Sequence, residues 1–195
     1  MRNFSVDEEL KFAKMFKALC LWDANLSDIP QEVWEMTFLK RLVIGNSQLS
    51  EIPSDIGQLT NLEYLELYNC GLSSISPEIG RLSKLFSITL SRNNLSELPD
   101  SINDLDELIC LDLSGNPNLS LKNITKELTI ILYGEVKIKG DRIVWGGDFS
   151  REEFVNTVED DFFGDIEGKF EYYKRQILEY YDAVMSNRSK NNEQQ

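Results

Sequence analysis

The sequence predicts an α/β repeat solenoid, closed at both ends by segments that do not repeat. Three observations carry that expectation. Apolar residues recur every 23 positions between residues 16 and 128. Each row opens on a strand-like Leu-x-x-Leu-x-Leu pattern and returns through an Ile/Leu-Pro step. Beyond Leu128 the period fails, and β-branched alternation followed by helical spacing replaces it. Repeats come first in the reading because a missed period misassigns the whole fold.

Rows starting at Phe16, Leu39, Leu62, Leu85 and Leu108 align without a gap. Their strand positions read Phe16/Leu19/Leu21, Leu39/Leu42/Ile44, Leu62/Leu65/Leu67, Leu85/Ile88/Leu90 and Leu108/Leu111/Leu113. Alternate residues of a strand face one way, so the second and third apolar residues of each signature enter a core together and those between them face outward. The ninth position holds Ala24, Ser47, Cys70, Asn93 and Asn116. An Asn there can bond the backbone where the chain leaves the strand, and a small Cys, Ser or Ala still fits. Ile29-Pro30, Ile52-Pro53 and Leu98-Pro99 stiffen the return path, with the proline one step late at Pro77 in the third row. Proline fixes φ and holds its predecessor extended. Val33, Ile56, Ile79 and Ile102, then Met36, Leu59, Leu82, Leu105 and Leu128, complete the apolar columns. No row buries its leucines alone; stacking produces one continuous core, so the leucines are core and not site.

In these columns the chain resembles the leucine-rich repeat family in its 23-residue intracellular form, over about residues 16–128. The resemblance implies a short horseshoe with a parallel sheet on its concave face, where ligands, usually proteins, bind. The expected organisation is an N-terminal helical cap (1–15), five repeats (16–128), a capping strand and β-hairpin (129–147), an acidic helical element (148–186) and a mobile tail (187–195).

The ends follow from local signals. Ser5 and Glu8 form a capping-box pattern ahead of Leu10, Phe12, Ala13 and Phe16 at partly helical spacing. After Leu128, Thr129–Tyr133 should extend the repeat sheet, with Gly140-Asp141 as a two-residue hairpin turn. Ser150 should open a helix that ends at Gly164. A second helix carries Ile166, Phe170, Tyr173, Ile177, Tyr180 or Tyr181, and Val184 as one stripe. That stripe either covers the end of the repeat core or pairs with another copy; we expect the first, and a protein that is a monomer when free.

Charge narrows the partners. The 195 residues carry 20 basic and 33 acidic side chains, a net charge of −13. That balance argues against nucleic acid and against an anionic membrane surface, both of which need a basic footprint. It suits a basic protein partner. No stretch approaches the roughly 20 apolar residues of a membrane span, and the start lacks the apolar core of a secretory signal. Three cysteines (Cys20, Cys70, Cys110) with no paired spacing fit a reducing, cytoplasmic compartment.

Catalysis has little to work with. The chain has no histidine, which removes Ser-His and Cys-His activation and the commonest zinc ligand. Glu159-Asp160-Asp161 lacks the spaced Asp/Asn and Gly of a calcium loop. The segment VWGGDFS is too short for a phosphate-cradling loop. We therefore expect no enzyme activity, no cofactor and no metal.

Recognition remains. Carried over onto this sequence, the resemblance makes the third, fifth, seventh and eighth residues of each row the concave surface. Trp22, Tyr64, Tyr68 and Arg92 are the expected anchors, being of the types that concentrate binding energy. Asp23, Glu66 and Asp112 should set charge complementarity, and Arg41 is a further partner-binding position. Glu159, Asp160 and Asp161, in an acidic run, form a secondary surface that would steer association. The expected function is a non-catalytic protein-binding module. A sharper version is an inhibitor of the immunity type, which neutralises a toxin; the competing reading is an adaptor that dimerises through its C-terminal helix or an exposed edge of the repeat sheet.

Overall fold

The structure is a computed structural model that describes residues 6–132, 135–139, 142–144, 148–150 and 169–192. Strands β1 (Ala18–Trp22), β2 (Arg41–Gly45), β4 (Tyr64–Tyr68), β6 (Ser87–Thr89) and β7 (Cys110–Asp112) lie side by side and parallel, one per row. Their register repeats the sequence period: Ala18 pairs with Arg41, Arg41 with Tyr64, Tyr64 with Ser87, and Ser87 with Cys110. The same register stacks Leu19, Leu42, Leu65, Ile88 and Leu111 into one column, every member fully buried. Burying each such side chain stabilises the fold by about 1.5–3 kcal/mol.

The return segments run on the other side of that core. In row one the helix α2 (Gln31–Trp34) follows Pro30. Rows two to four use 3-10 turns at Ser54–Gln58, Pro77–Arg81 and Asp100–Asp104. Pro53 and Pro99 precede two of these turns. The late proline of row three has a local reason: Ser76 takes the slot, and its side chain accepts a hydrogen bond from the Glu78 N–H at 3.3 Å. Two short strands, β3 (Glu51–Ile52) and β5 (Ser74–Ile75), pair in parallel along this back.

Each strand is left through one backbone device. Asp23, Asn46, Asn69 and Arg92 occupy the left-handed region with φ of 56°, 52°, 51° and 57°, and Gly115 sits at 73°. Asn93 and Asn116 then bond the turning chain. The Asn93 side chain accepts from the N–H groups of Cys70 and Leu72 and donates to the carbonyls of Leu67 and Leu90. One buried amide so serves two rows. The Cys70 thiol donates towards the Ile44 and Tyr68 carbonyls, and burial pushes its pKa up to about 11.

The N-terminal helix α1 (Val6–Phe16) covers the first row with Ala13 buried and Leu10 half-buried. It corrects one reading. Phe16, taken as the first core position of row one, is the last residue of α1 and is 67% exposed. The helical period that turns Ala13 inward leaves Phe16 outside, and Lys17, at φ 52°, turns the chain into β1 at Ala18.

At the other end β8 (Thr129–Ile131) continues the parallel sheet, pairing Cys110 with Thr129, closer in sequence than the repeat period. Then β9 (Glu135–Lys139), β10 (Arg142–Val144) and β11 (Asp148–Ser150) add antiparallel strands to complete a nine-stranded sheet. Lys139 pairs with Arg142; the turn expected at Gly140-Asp141 lies outside the described residues. Asp148–Ser150, read as the entry to a helical element, is a strand. The expected helix over 151–163 lies outside the described residues. The helix α3 (Lys169–Asn192) runs past residue 186, so 187–192, read as tail, is helical.

The described part of the α3 stripe is spent within the chain, while Ile166 and the side chains of Phe170 and Tyr173 lie outside the described residues. Ile177, Tyr180, Tyr181 and Val184 are buried in the same core as the leucines. The Tyr180 hydroxyl accepts from the Leu128 N–H at 2.7 Å and lies 3.0 Å from the Leu128 carbonyl. Glu179 accepts from the Ser120 hydroxyl at 2.9 Å, and Arg188 pairs with Glu127. Ile177, proposed from sequence as a possible dimer contact, is therefore a core residue of its own protomer.

Candidate protein-binding face

Positions three, five, seven and eight of each row face away from the leucine core, as strand alternation requires. They carry few charges. Two arginines (Arg41, Arg92) and three carboxylates (Asp23, Glu66, Asp112) stand among small and aromatic residues in the five rows. Most acidic side chains of the five rows stand elsewhere, among them Glu32, Asp55, Glu97, Asp100, Asp104 and Glu107 on the return side.

The aromatic residues named from sequence form two groups. Trp22 and Tyr68 stack across an intervening row, ring centroids 5.5 Å apart and planes within 17°. They meet because row two has Gly45 between them. A Cβ at Gly45 would stand 2.3 Å from the Trp22 ring, so only glycine lets the indole lie down over that row. On the far side of Tyr68 the Arg92 guanidinium carbon is 5.4 Å from the ring centroid. The second group joins Tyr64 to Phe86, 6.0 Å apart, and to Arg41, whose guanidinium lies 5.7 Å from the Tyr64 centroid. Aromatic pairs of this kind contribute about 0.5–1.5 kcal/mol beyond their burial.

Side-chain bonds fix the remaining polar groups. Arg41 pairs with Glu66. Asn69 donates to Asn46 at 2.8 Å, and Asn46 donates to Asp23 at 2.7 Å, a ladder along the left-handed residues. Asp112 accepts from the Ser114 N–H and hydroxyl at 3.0 and 2.7 Å. At the N-terminal end a groove of about 740 Å³ is lined by Phe12, Phe16, Ala18, Cys20, Trp22, Arg41, Val43 and Glu66.

The structure thus joins Trp22, Tyr68 and Arg92 in one assembly and Arg41, Tyr64 and Glu66 in another. Asp112 stands apart from both, with Ser114. Glu159, Asp160 and Asp161 lie outside the described residues. Sequence reasoning missed Gly45, which sets the Trp22 pose, and Phe86 and Ile109, which are 41% and 51% exposed beside Tyr64's end of the strands. The second position of the rows offered a signal for the last two: it runs Lys17, Lys40, Glu63 and then switches to Phe86 and Ile109. Among the described residues no group of three or more His, Cys, Asp or Glu side chains converges as a metal site would need. No described helix is long and apolar enough to cross a membrane.

Residues 60–117, which span rows three and four and enter row five, match the family described as Leucine rich repeat. Its repeats are leucine-rich repeats. Solved structures agree. The chain is 35% identical to a plant peptide hormone receptor, RGFR1, determined in complex with RGF2, over 58% of this chain and 20% of that one, with a TM-score of 0.50. It is 24% identical to a leucine-rich repeat protein of Leptospira interrogans, over 65% and 39% of the two chains, with a TM-score of 0.51. An internalin of Listeria monocytogenes gives 22% identity over 63% and 36%, with a TM-score of 0.52. The last two show the fold alone. The chain therefore spans well under half the length of these proteins. No curated protein matches the sequence. The fold is an α/β solenoid of leucine-rich repeats, with one strand of each row in a parallel sheet.

Proposed function

We propose that this protein is a non-catalytic module that binds a protein partner through its concave face. The observation that carries the reading is the Trp22–Tyr68–Arg92 stack, an ordered aromatic surface held on strands and half-exposed. Exposed aromatics and arginine supply most of the energy at protein interfaces, and rigid ones lose least entropy on binding. The plant receptor with which it shares 35% identity was solved with its peptide bound, which supports a protein or peptide ligand. The acidic return side would speed the approach of a partner with a basic face without adding much affinity. An inhibitory role of the immunity type is the sharper form of this proposal, in a cytoplasmic setting: the concave face would cover a toxin's working surface. The alternative of an adaptor dimerising through its C-terminal helix is disfavoured by the burial of Ile177, Tyr180 and Val184 within one chain.

The test starts with wild-type bait in an extract of the native host. The recovered protein, purified, is titrated against wild type and the Tyr64→Ala/Tyr68→Ala variant. A truncated anchor costs at least about 2 kcal/mol, so Kd should rise about thirtyfold or more. An unchanged Kd would remove the concave face as the site. The inhibitory form further requires the partner's activity to fall at one equivalent.

A further inference from the structure

Every charged side chain at the outward positions of the five rows has a partner within the described residues, with one exception. Glu66 holds Arg41, Asn46 donates to Asp23, and Ser114 donates to Asp112. Arg92 is exposed, rests on Tyr68, and makes no ion pair or side-chain hydrogen bond with any described residue. Its place is nonetheless built. Its backbone sits at φ 57° and its N–H donates to the Ser114 carbonyl at 2.7 Å, which fixes where the side chain starts. Gly115 beside it would, with a side chain, bring a Cβ within 3.2 Å of the Arg92 Cγ, so the glycine keeps the stem's space clear. Tyr68 and Trp22 then extend an aromatic surface from the guanidinium across to row one.

We propose that this stack is a composite site for a partner segment that presents an apolar side chain next to a side-chain carboxylate. The guanidinium of Arg92 takes the carboxylate through its paired N–H donors, and the apolar neighbour lies against Tyr68 and Trp22. A guanidinium is the side chain suited to this task, because its donors match two carboxylate oxygens at once and its charge persists at any working pH. Resting on an aromatic ring holds it in place before binding, so less freedom is lost when the carboxylate arrives. The carboxylate belongs to a side chain of a passing segment rather than to a chain terminus. Beyond Arg92 the face continues over Ser114 and Gly115, which have little or no side chain to stop a strand there. The proposal rests on the protein-binding reading above and names the chemistry that reading leaves open.

The experiment uses the full chain, labelled with nitrogen-15, and blocked dipeptides as probes. N-acetyl-Phe-Glu-amide, N-acetyl-Phe-Gln-amide and N-acetyl-Phe with a free carboxyl terminus are titrated in turn. The Arg92 Nε–H resonance and the Trp22 and Tyr68 ring signals are followed. The Glu probe should shift all three and saturate in the millimolar range, at least about tenfold more tightly than the Gln probe. Added salt should narrow that difference. In Arg92→Gln the two probes should bind alike, while the thermal midpoint stays within about 2 °C because the side chain is exposed. Equal affinities in wild type, a Glu preference that survives Arg92→Gln, or no shifts up to about 10 mM would each overturn the site. Tighter binding of the free-terminus probe would overturn the assignment to a side chain. The two readings fail separately. Probe binding with no effect of the Tyr64→Ala/Tyr68→Ala variant on the partner would sink the protein-binding reading, and the reverse would sink this one.

Discussion

Asn93 shows what a single repeat residue does. Its amide is almost fully buried and satisfies backbone groups from two rows, two N–H groups and two carbonyls. Replacement by Ala strands all of them, each at about 1–3 kcal/mol when buried, so Asn93→Ala should cost at least about 2 kcal/mol in chemical denaturation. Leu65→Ala, at a fully buried column position, should cost roughly 2–5 kcal/mol. Asn94→Ala, one residue along, loses only an exposed 3.5 Å contact to the Gly71 carbonyl and should fall within about 0.5 kcal/mol of wild type. Equal costs at Leu65 and Asn94 would contradict the row phase. The buried Cys70 thiol adds a pH prediction. Its pKa rises from an ordinary 9.0 to about 11 because burial disfavours the thiolate. The contribution is complete below pH 9.0 and is lost as pH climbs towards 11, since the unfolded chain ionises first. Tyr180, raised by burial to about 12, acts in the same direction. A Cys70→Ala variant should therefore lose less stability than wild type between pH 9.0 and 11, measured as the shift in denaturant midpoint.

At the scale of elements, the repeat was legible and its exceptions were not. Columns of Leu, Asn and Pro at one spacing fix strand, exit and return together, because every row faces identical neighbours. Phe16 departed from its column because row one has no preceding row, and a helix meets its end instead. The aromatic residues were visible as outward types, but the pose of Trp22 depended on an absence, the missing side chain of Gly45 one row away. No local pattern reports that. The C-terminal helix was legible as a stripe, whereas its partner became evident only from the Tyr180 hydroxyl bonded to Leu128. Removing that hydroxyl in Tyr180→Phe leaves the buried Leu128 N–H unpaired and should cost about 1–3 kcal/mol. Thermal melts of the two proteins would show it as a lowered midpoint; an unchanged midpoint would mean the Tyr180 hydroxyl adds nothing to the packing of α3 on the repeat core. Arg188 holds the Glu127 carboxyl below its usual range. That contribution is present above the ordinary carboxylate value and lost as pH falls through the lowered one. For so exposed a pair it is below about 1 kcal/mol.

The molecule as a whole separates three tasks by surface. A continuous leucine column supplies stability, the return side carries most of the acidic side chains of the five rows, and the strand face of those rows is almost neutral and aromatic. Association with a basic partner should then depend on ionic strength mainly through its rate. Raising salt from 0.05 to 0.5 M, as an order of magnitude of about tenfold, should slow association and leave dissociation nearly constant in stopped-flow traces. A dissociation rate that moves with salt as strongly as the association rate would place more charged contacts inside the interface than the single Arg92 pair proposed above.

Trp22 lying over Gly45 has a consequence for how such a chain could change in length. Repeat proteins gain and lose whole rows, and most rows here would tolerate a copy beside them. A row inserted between the first and the third would move Trp22 and Tyr68 apart by about one strand spacing, roughly 4.8 Å, and no indole reaches that far. A duplicate placed after the fourth row leaves the stack intact. The modular solenoid therefore contains an indivisible block of rows, and lengthening by design or by duplication has to begin beyond it.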